Sequence, residues 1–489
     1  MFTSQAQIVN IPDANFKAKL IALGVDTNAD GNIQTSEALA VTTLNVMYSN
    51  ISDLTGLTAF TNLLSFNCQT NSVSTLDLTG LNALTELKCV QNQISTLDVS
   101  GLPNLTTLWC YNNQMQSLSL GGNIHLNVLY CNDNSFTALD VSGLTNLTEL
   151  QCQNNQLTAI NLLGLTHLNK LDCSYNQLSA LDLTGLTLLQ RLNCSANLLT
   201  TLNASGLIHL TFLGCQINYL TELNYSGDQN LAVLGCNWNQ LTSLNLTGFT
   251  QLTDLSCRNN NLTSLNLNGL VNLHGLDCRN NQITYLNGAG LLYLSSLRIG
   301  DNPITNFSFP NLANVQILDC GNTLISTMDL STTTYHLGTL WVDNNPQLTS
   351  LFIKTGSGNF NFYSSSQTFK INGDPNLQYI CVDESNINAT QNQINSFGYT
   401  NCHVNSYCSF SPGGTFYTLQ GNNRYDSNNN GCDSADIPIP SLKLMISNGT
   451  NTATVIPDTT GSYHYDVQAG THTITPVFEN STYFTTSPS

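Results

Sequence analysis

Along most of this chain the apolar positions recur in blocks of 21 residues. In residues 147–167, LTELQCQNNQLTAINLLGLTH, the first half of the block carries Leu147, Leu150 and Cys152, and a second, similar half carries Leu157, Ile160 and Leu162. Twelve such blocks follow one another without insertion from Leu63 to Asn314. Cysteine marks the beat at Cys68, Cys89, Cys110, Cys131, Cys152, Cys173, Cys194, Cys215, Cys236, Cys257 and Cys278, and returns in register at Cys320. Asparagine keeps it three residues later, from Asn71 to Asn302, and glycine keeps it from Gly80 to Gly290. A fixed period near 20 predicts a solenoid, whose coils can bury their apolar sides only by stacking on one another. Coils this short leave no room for a full convex helix. The pattern therefore predicts a first strand near 149–152 and a second extended segment near 160–162, in a narrow section. Asn155 and its equivalents are expected to turn their amides inward onto the backbone at the bend, and Gly164 and its equivalents to permit a left-handed or crowded turn. About fifteen coils at ~4.8 Å each would make a body ~70 Å long.

Both ends depart from this pattern. Residues 12–23 open with Pro12 and Asp13 and place Phe16, Leu20 and Leu23 on one helical face. They lead into DTNADGNIQTSE, residues 26–37, which has the spacing of an EF-hand loop. Asp26, Asn28 and Asp30 would supply side-chain oxygens, Gly31 the sharp turn and Asn32 its carbonyl. Gln34 sits where a water often intervenes, and Glu37 would bind calcium through both oxygens. Ile33 is the apolar residue such loops carry, and a second helical stretch starts at Ser36. A single hand of this kind is expected to clamp the first coil rather than to sense calcium.

After Asn314 the beat loosens: Thr323 takes an asparagine slot, the coil from Leu337 is shifted by one residue, and 352–376 form an irregular insertion. The last recognisable coil is LQYICV, residues 377–382, with Cys381 one position before the inward slot. That displacement predicts a disulfide from Cys381 to Cys402, and such pairing implies an oxidising compartment. From Phe410 onward Val, Ile, Thr and Tyr alternate in short runs, which predicts a small antiparallel sandwich. Its acidic stretch YDSNNNGCDSAD repeats the first half of a calcium loop in Asp426, Asn428, Asn430 and Gly431, and Asp436 could close it. The twelfth position is Ile437, so this second candidate calcium site is not an EF-hand. Cys408 and Cys432 could bridge the solenoid cap to this domain.

The string LxxLxCxxN resembles the signature of leucine-rich repeats, with cysteine in the third apolar slot. The nested halves, and the LDLTGL and LDVSGL strings at Leu76, Leu97, Leu139 and Leu181, resemble exported repeat proteins of Bacteroidetes-type bacteria, broadly internalin-like. This likeness covers roughly residues 10–408. It is specific for fold and weakly specific for ligand. The C-terminal stretch is similar to the prealbumin-like or Sdr-B-like modules of bacterial surface proteins. The expected fold is mainly β: a leucine-rich-repeat solenoid of 21-residue coils with a small helical EF-hand-like N-terminal cap and a C-terminal β-sandwich. The expected division is 1–9, a residual signal or tail; 10–60, the helical cap with its calcium loop; 61–408, the solenoid and its C-terminal cap; and 409–489, a truncated β-sandwich.

Composition narrows the partners. Only 9% of residues are charged, and the balance of 12 Lys plus Arg against 30 Asp plus Glu leaves a net charge of -18. Such a surface repels phosphate backbones and anionic lipid, which argues against nucleic-acid binding and charge-driven membrane attachment. No apolar run reaches the ~18 residues of a membrane helix. Residues 1–7, MFTSQAQ, read as the last residues of a secretory signal, with Ser4 and Ala6 as the small pair before the cut. A secreted or cell-surface monomer is expected.

Four chemistries compete for the repeats. The cysteines are expected to be buried free thiols acting as small hydrophobes, because neighbouring coils hold their Cβ atoms at ~4.8 Å, wider than the ~3.8 Å of a relaxed disulfide. His125, His167 and His209 recur every second coil, ~10 Å apart, and are expected to be turn residues rather than zinc ligands. Binding falls to the outward side of the first strand. It carries Lys88, Lys170, Arg191, Arg258, Arg279 and Arg298, with Trp109, Tyr111 and Tyr130 beside them and Trp238 and Tyr175 at its edge. Rings and arginines of this kind favour protein interfaces. The competing expectation is pairing within the face, of Glu86 with Lys88, Lys170 with Asp172 and Asp277 with Arg279. Asp77, Asp98, Asp140, Asn203 and Asn245 repeat on the opposite side. The acid pairs Glu149 with Asp172, and Asp254 with Asp277, have the spacing of inverting glycosidases, but an open strand face with a cation beside each acid cannot raise a carboxyl pKa. No nucleophile elbow, phosphate loop or metalloprotease motif accompanies them. The sequence thus points to a noncatalytic, calcium-stabilised adhesion protein that binds a protein on a cell surface, or alternatively to a glycan-binding or spacer module of a larger assembly.

Overall fold

In the regular coils a three-residue strand forms where the leucine pattern has its tightest alternation, as at Glu149–Gln151, with Leu150 buried between two half-exposed neighbours. The computed structural model describes residues 7–478 except 226, 228, 310–311, 332, 334–336, 357–368, 409–416, 429, 432, 441 and 458. The chain divides into two units, 1–244 with 248–261, and 245–247 with 262–489.

In the first unit these strands stack in chain order as one parallel sheet, from Thr43–Asn45 through Glu86–Lys88, Thr107–Trp109, Val128–Tyr130, Lys170–Asp172 and Phe212–Gly214 to Asp254–Ser256. Register is strict: Leu129 faces Leu150, which faces Leu171. A slip of one residue would turn every leucine to water. Leu147, Leu150, Cys152 and Leu157 are fully buried and Leu162 nearly so, whereas Ile160 is only half-buried. The second half of the coil is strand only in places, where Thr96–Asp98 pairs with Ser117–Ser119 and Thr201–Asn203 with Glu222–Asn224. Elsewhere single backbone bonds hold it, such as Gln156 N to Phe136 O at 2.9 Å.

The bend is built by asparagine, as its spacing predicts. Asn155 Oδ1 accepts from Phe136 N at 3.1 Å, while its Nδ2 donates to Cys131 O at 3.2 Å and to Cys152 O at 3.1 Å. Repeated from coil to coil, these amides satisfy the backbone groups that the turn removes from the sheet. The residue just before each ladder asparagine is left-handed, including Asn154 at φ 55°, Tyr175 at 52° and Trp238 at 54°. Gly164 is left-handed too, at φ 90°. All the ladder thiols of this unit are free and buried, and burial pushes Cys68, Cys131, Cys194 and Cys236 up to about 12.

At the start of this unit, helices α1 (Ala14–Ala22) and α2 (Thr35–Ala40) flank the acidic loop. Asp13 accepts from Phe16 N to cap α1, and its other oxygen accepts from Ser52 N, Ser52 Oγ and Asp53 N. One carboxylate therefore caps the helix and fastens it to the first coil. Phe16, Leu20 and Ile33 are fully buried beneath it, while Leu23 is exposed.

In the second unit the first-side strands form a parallel sheet from Gly275–Asp277 to Phe369–Lys370. On the other side, Thr327–Asp329, Ser350–Phe352, Tyr379–Cys381 and His403–Asn405 form a four-stranded parallel sheet. LQYICV thus belongs to the second side, in register with Ser350–Phe352, and not to the first strand of a last coil. This corrects the expected disulfide. Cys381 faces Asn405, and Cys408 follows three residues beyond it, so Cys381 is joined to Cys408 at a Cα separation of 5.7 Å. Cys402 lies past the opposite end of that strand, beside His403, and is a buried free thiol. With Cys408 engaged, the bridge from Cys408 to Cys432 does not form; Cys432 itself lies outside the described residues, as do Ser4, Ala6 and Phe410. Helix α3 (Ile387–Ser396) follows the Tyr379–Cys381 strand.

Beyond the cap, Tyr417–Asn422 pairs with Ser462–Val467, and Leu444–Ser447 lies between Thr452–Val455 and Thr473–Pro476, all antiparallel. Tyr465 and Val467 from the first pair share a core with Ile446, Val455 and the solenoid's Tyr407.

Candidate binding face

In the first unit the strand face is a grid in which register sets the neighbours along each column. Lys88, Trp109 and Tyr130 are consecutive in one column. Lys88 Nζ lies 4.3 Å from the Trp109 ring centre and also pairs with Glu86 at 2.6 Å. Tyr130 stacks on the indole at 5.6 Å and 14°. Because Lys88 and Tyr130 sit on opposite sides of Trp109, both faces of the indole are covered. Hydrogen bonds then cross to the neighbouring column, in which Glu149 and Lys170 are in register: Tyr130 Oη donates to Glu149 Oε2 at 2.6 Å, and Lys170 reaches Glu149 Oε1 at 2.7 Å. Lys170 therefore pairs across coils with Glu149 and not with Asp172, the partner its spacing suggested. Burial would raise the Glu149 carboxyl, but its bonds to Lys170 and Tyr130 outweigh this and hold it below the usual carboxylate range. The same contact, after burial, pushes the Tyr130 phenol up to about 12.

Further along this unit the cations lie over rings. The Arg191 guanidinium sits 4.4 Å from the Phe212 ring centre, and Arg258 sits 5.7 Å from that of Trp238. Trp238 is 53% exposed and Tyr175 60%, both raised on the left-handed turn; Tyr111 is half-buried. Asp172 is tied down by Ser174 and by Asn193 Nδ2 at 3.0 Å.

In the second unit Arg279 joins two coils. Its Nη2 pairs with Asp277 at 2.8 Å and its Nη1 with Asp319 at 3.2 Å. That geometry makes it a staple. Arg298 lies in register between the same two aspartates without an ion pair among the described residues. Sequence reasoning missed Lys370, which lies 4.0 Å from the Trp341 ring centre; the insertion before it had broken the count.

The opposite side reads differently. Asp77, Asp98 and Asp140 each accept from the backbone N–H two residues on, and hydroxyls of Thr79, Ser100 and Ser142 help hold their carboxyls below the usual range. Asn203 and Asn245 make the same turn. These repeated residues build the bend before the glycine. His125, His167 and His209 are exposed at the coil edges, and His167 Nδ1 contacts Thr145 O at 2.9 Å.

In the N-terminal loop, Asp26 Oδ2 accepts from Gly31 N at 2.9 Å, Asn28 Oδ1 from Asp30 N at 3.0 Å and Asp30 Oδ1 from Asn32 N at 2.8 Å. Gln34 and Asn28 turn their amide nitrogens to Asp30 Oδ2. Buried Glu37 accepts from Gln34 N, Thr27 N and Oγ1, and Asn28 N; led by the Gln34 bond, these hold it below the usual range. The strand segment at Ile33 finds its backbone partner in Val9, not in a second hand. The C-terminal loop repeats the pattern. Asp426 accepts from Asn430 N at 3.3 Å and Gly431 N at 3.0 Å, Asn428 accepts from Asn430 N at 3.0 Å, and buried Asp436 accepts from Asp433 N at 2.8 Å. Among the described residues no three His, Cys, Asp or Glu side chains are gathered as a metal cluster. The donor set suits a hard cation in chemistry, and in both loops its oxygens face backbone N–H groups.

Residues 145–187 match the family described as Leucine Rich repeats (2 copies). No curated protein matches the sequence. Among solved structures, the functional domain of InlJ from Listeria monocytogenes, which includes a cysteine ladder, is 26% identical with a TM-score of 0.68; the match covers 96% of this chain and 98% of that one. An LRR protein of Leptospira interrogans is 19% identical over 79% of this chain and 98% of its own, with a TM-score of 0.56. YopM from Yersinia enterocolitica is 20% identical over 75% and 85%, with a TM-score of 0.53. The chain is thus a leucine-rich-repeat solenoid with internalin-like architecture. Among the described residues no helix is long and apolar enough to cross a membrane.

Proposed function

We propose that this is a secreted or cell-surface protein that mediates adhesion by binding another protein through its first-strand face, without catalysis. Support comes first from the column Lys88, Trp109, Tyr130. Stacking on a sugar needs a free ring face, and both faces of Trp109 are occupied. With Trp109 Nε1 buried and Tyr130 Oη and Lys88 Nζ engaged by Glu149 and Glu86, what the column offers outward is ring edges, which suit a protein surface. The likeness to the InlJ functional domain over nearly the whole of both chains supports the same reading. The N-terminal helices and loop are read as an EF-hand-like cap, in which Asp26, Asn28, Asp30, Asn32, Gln34 and Glu37 hold calcium as a structural clamp; half-turns of the Asn28 and Gln34 amides would present oxygens in place of nitrogens. Asp426, Asn428, Asn430 and Asp436 form the second calcium loop of a C-terminal β-sandwich. The test compares Arg191→Ala with Arg258→Ala, and Trp109→Ala with Tyr130→Ala, for retention on candidate cell-surface proteins and on glycan arrays. Loss of protein retention in both sets is expected. Glycan retention lost only with Trp109 and Tyr130 would overturn the assignment of a protein partner, and retention unchanged in every variant would leave a spacer.

A further inference from the structure

The asparagine ladder changes residue type before it ends. In the second unit Asn302 has the standard bonds, with Oδ1 accepting from Ile283 N and Nδ2 donating to Cys278 O and Ile299 O. Thr323 follows, donating from Oγ1 to Cys320 O, and then Asn345, whose Nδ2 donates to Val342 O. The next place is held by Asp374, whose Oδ1 accepts from Asn345 N at 2.6 Å. An aspartate copies the accepting half of an asparagine but not the donating half. Asp374 is fully buried, and its Oδ2, in the place of the ladder Nδ2, has no hydrogen-bond partner. On the pattern of Asn345, whose Nδ2 donates to the carbonyl three residues back, the counterpart for that atom is Ile371 O, an acceptor. Two acceptors cannot share that place unless one carries a proton.

We infer that Asp374 stands in the folded protein as the neutral acid, its Oδ2–H supplying the ladder's missing donor, and that its ionisation unlatches the last coils of the solenoid. The surroundings agree. Asp343 faces it from the preceding coil and Cys320 from the one before; Tyr399 and Cys402 face it from the segment after α3. Asp374 N donates to Tyr399 Oη at 2.8 Å, and Tyr399 donates in turn to Ile371 O at 2.5 Å. No cation is in this set, so nothing favours the carboxylate except the Asn345 N–H. Burial, with Asp343 adding to it, pushes the acid up from 3.8 to about 8. The sign follows: an unfolded Asp374 is ionised above 3.8 while the folded one keeps its proton, so the contribution to stability is whole below 3.8 and is lost as pH rises, until about 8. One extra proton in the folded state means that local opening increases about tenfold per pH unit within that window.

Asp374→Asn restores the standard rung and removes the proton. The experiment is tryptic cleavage of the full chain at Lys370, which lies on the adjoining strand, at pH 6, 7 and 8 for wild type and for Asp374→Asn. Their ratio cancels the protease's own pH profile. The ratio is expected to rise at least tenfold from pH 6 to pH 8; a flat ratio overturns the inference. A second readout is independent of stability. The infrared difference between wild type and Asp374→Asn at pH 6 should contain the C=O band of one protonated carboxylic acid, lost at pH 9.5, and its absence at pH 6 overturns the inference. Failure of Asp374→Asn to fold would do the same, since the slot would then require a carboxyl group for another reason.

Discussion

Removing one rung of the ladder should cost less than a count of its bonds suggests, and removing two adjacent rungs should cost more than twice as much. Asn155→Ala breaks four links, the longest a 3.4 Å bond to Gln153 O, which Asp133 N keeps satisfied, and only one group is orphaned. Cys131 O also accepts from Asn134 Nδ2, and Cys152 O from Asn176 Nδ2, each at 3.1 or 3.0 Å. Phe136 N alone loses its acceptor, in a residue with no exposure. A buried donor left alone costs about 1–3 kcal/mol, and two weakened carbonyls add about 0.5 kcal/mol each, so ~3 kcal/mol is expected. In Asn155→Ala with Asn176→Ala, Cys152 O loses both donors, and the pair should exceed the sum of the singles by about 1 kcal/mol. The cysteines report this directly. They are buried, free and regularly placed, so the native-state labelling rate of each with a thiol reagent, read by peptide mass spectrometry, measures the opening of its own coil. About 3 kcal/mol corresponds to roughly 150-fold faster labelling at Cys131 and Cys152, fading toward Cys68 and Cys236. Acceleration below threefold, or equal acceleration along the whole unit, would refute the idea that the amides act coil by coil.

Other consequences can be checked separately. Asp13→Ala loses a helix cap and three bonds to Ser52 and Asp53, and should destabilise the N-terminal cap by about 1–2 kcal/mol. Faster labelling of Cys68 with Cys236 unchanged would show it. Burial opposes ionisation of Asp13, but its hydrogen bonds outweigh this and lower the pKa from 3.8, so this contribution is present above that pH and disappears as pH falls below it. Calcium should raise the melting temperature of the N-terminal cap, chelation should lower it, and Glu37→Gln should abolish the difference; a calcium titration with no heat and no thermal shift would remove the clamp. Peptide mapping without reductant should recover Cys381 linked to Cys408 with Cys402 alkylated, and a Cys381 to Cys402 peptide would contradict the strand register.

The parts of the fold set by a repeated local demand were readable from residue spacing. Leucine, cysteine and asparagine recur because each coil has the same interior to fill and the same bend to satisfy, and Asn155 does what its position implied. Other parts depended on the three-dimensional path. The left-handed turn before each ladder asparagine was masked because Tyr175, Ile217 and Trp238 occupy it as well as Asn154 and Asn259; the Asn and Asp at Asn112, Asp133, Asn154, Asn259 and Asn280 were the available signal. Cys381 was misassigned because LQYICV satisfies the leucine pattern of either side of a coil, and only pairing with Ser350–Phe352 decides between them.

The same distinction sorts the candidate binding residues. A charged side chain whose hydrogen bonds go to neighbouring coils is part of the solenoid's own frame, and Arg279, held by Asp277 and Asp319, belongs there despite its outward position. Arg258 and Arg191 are different, because each rests on a ring and forms no ion pair among the described residues, so no ion pair commits it to the frame. Losing Arg279 should therefore weaken coil stacking in the second unit and accelerate labelling of Cys278 and Cys320. Losing Arg191 or Arg258 should leave labelling unchanged and reduce retention on a protein ligand. If Arg279→Ala left thiol labelling at wild-type rates while abolishing retention, the ion pairs with Asp277 and Asp319 would be a resting position from which the arginine is released to a partner, and its assignment to the frame would be wrong.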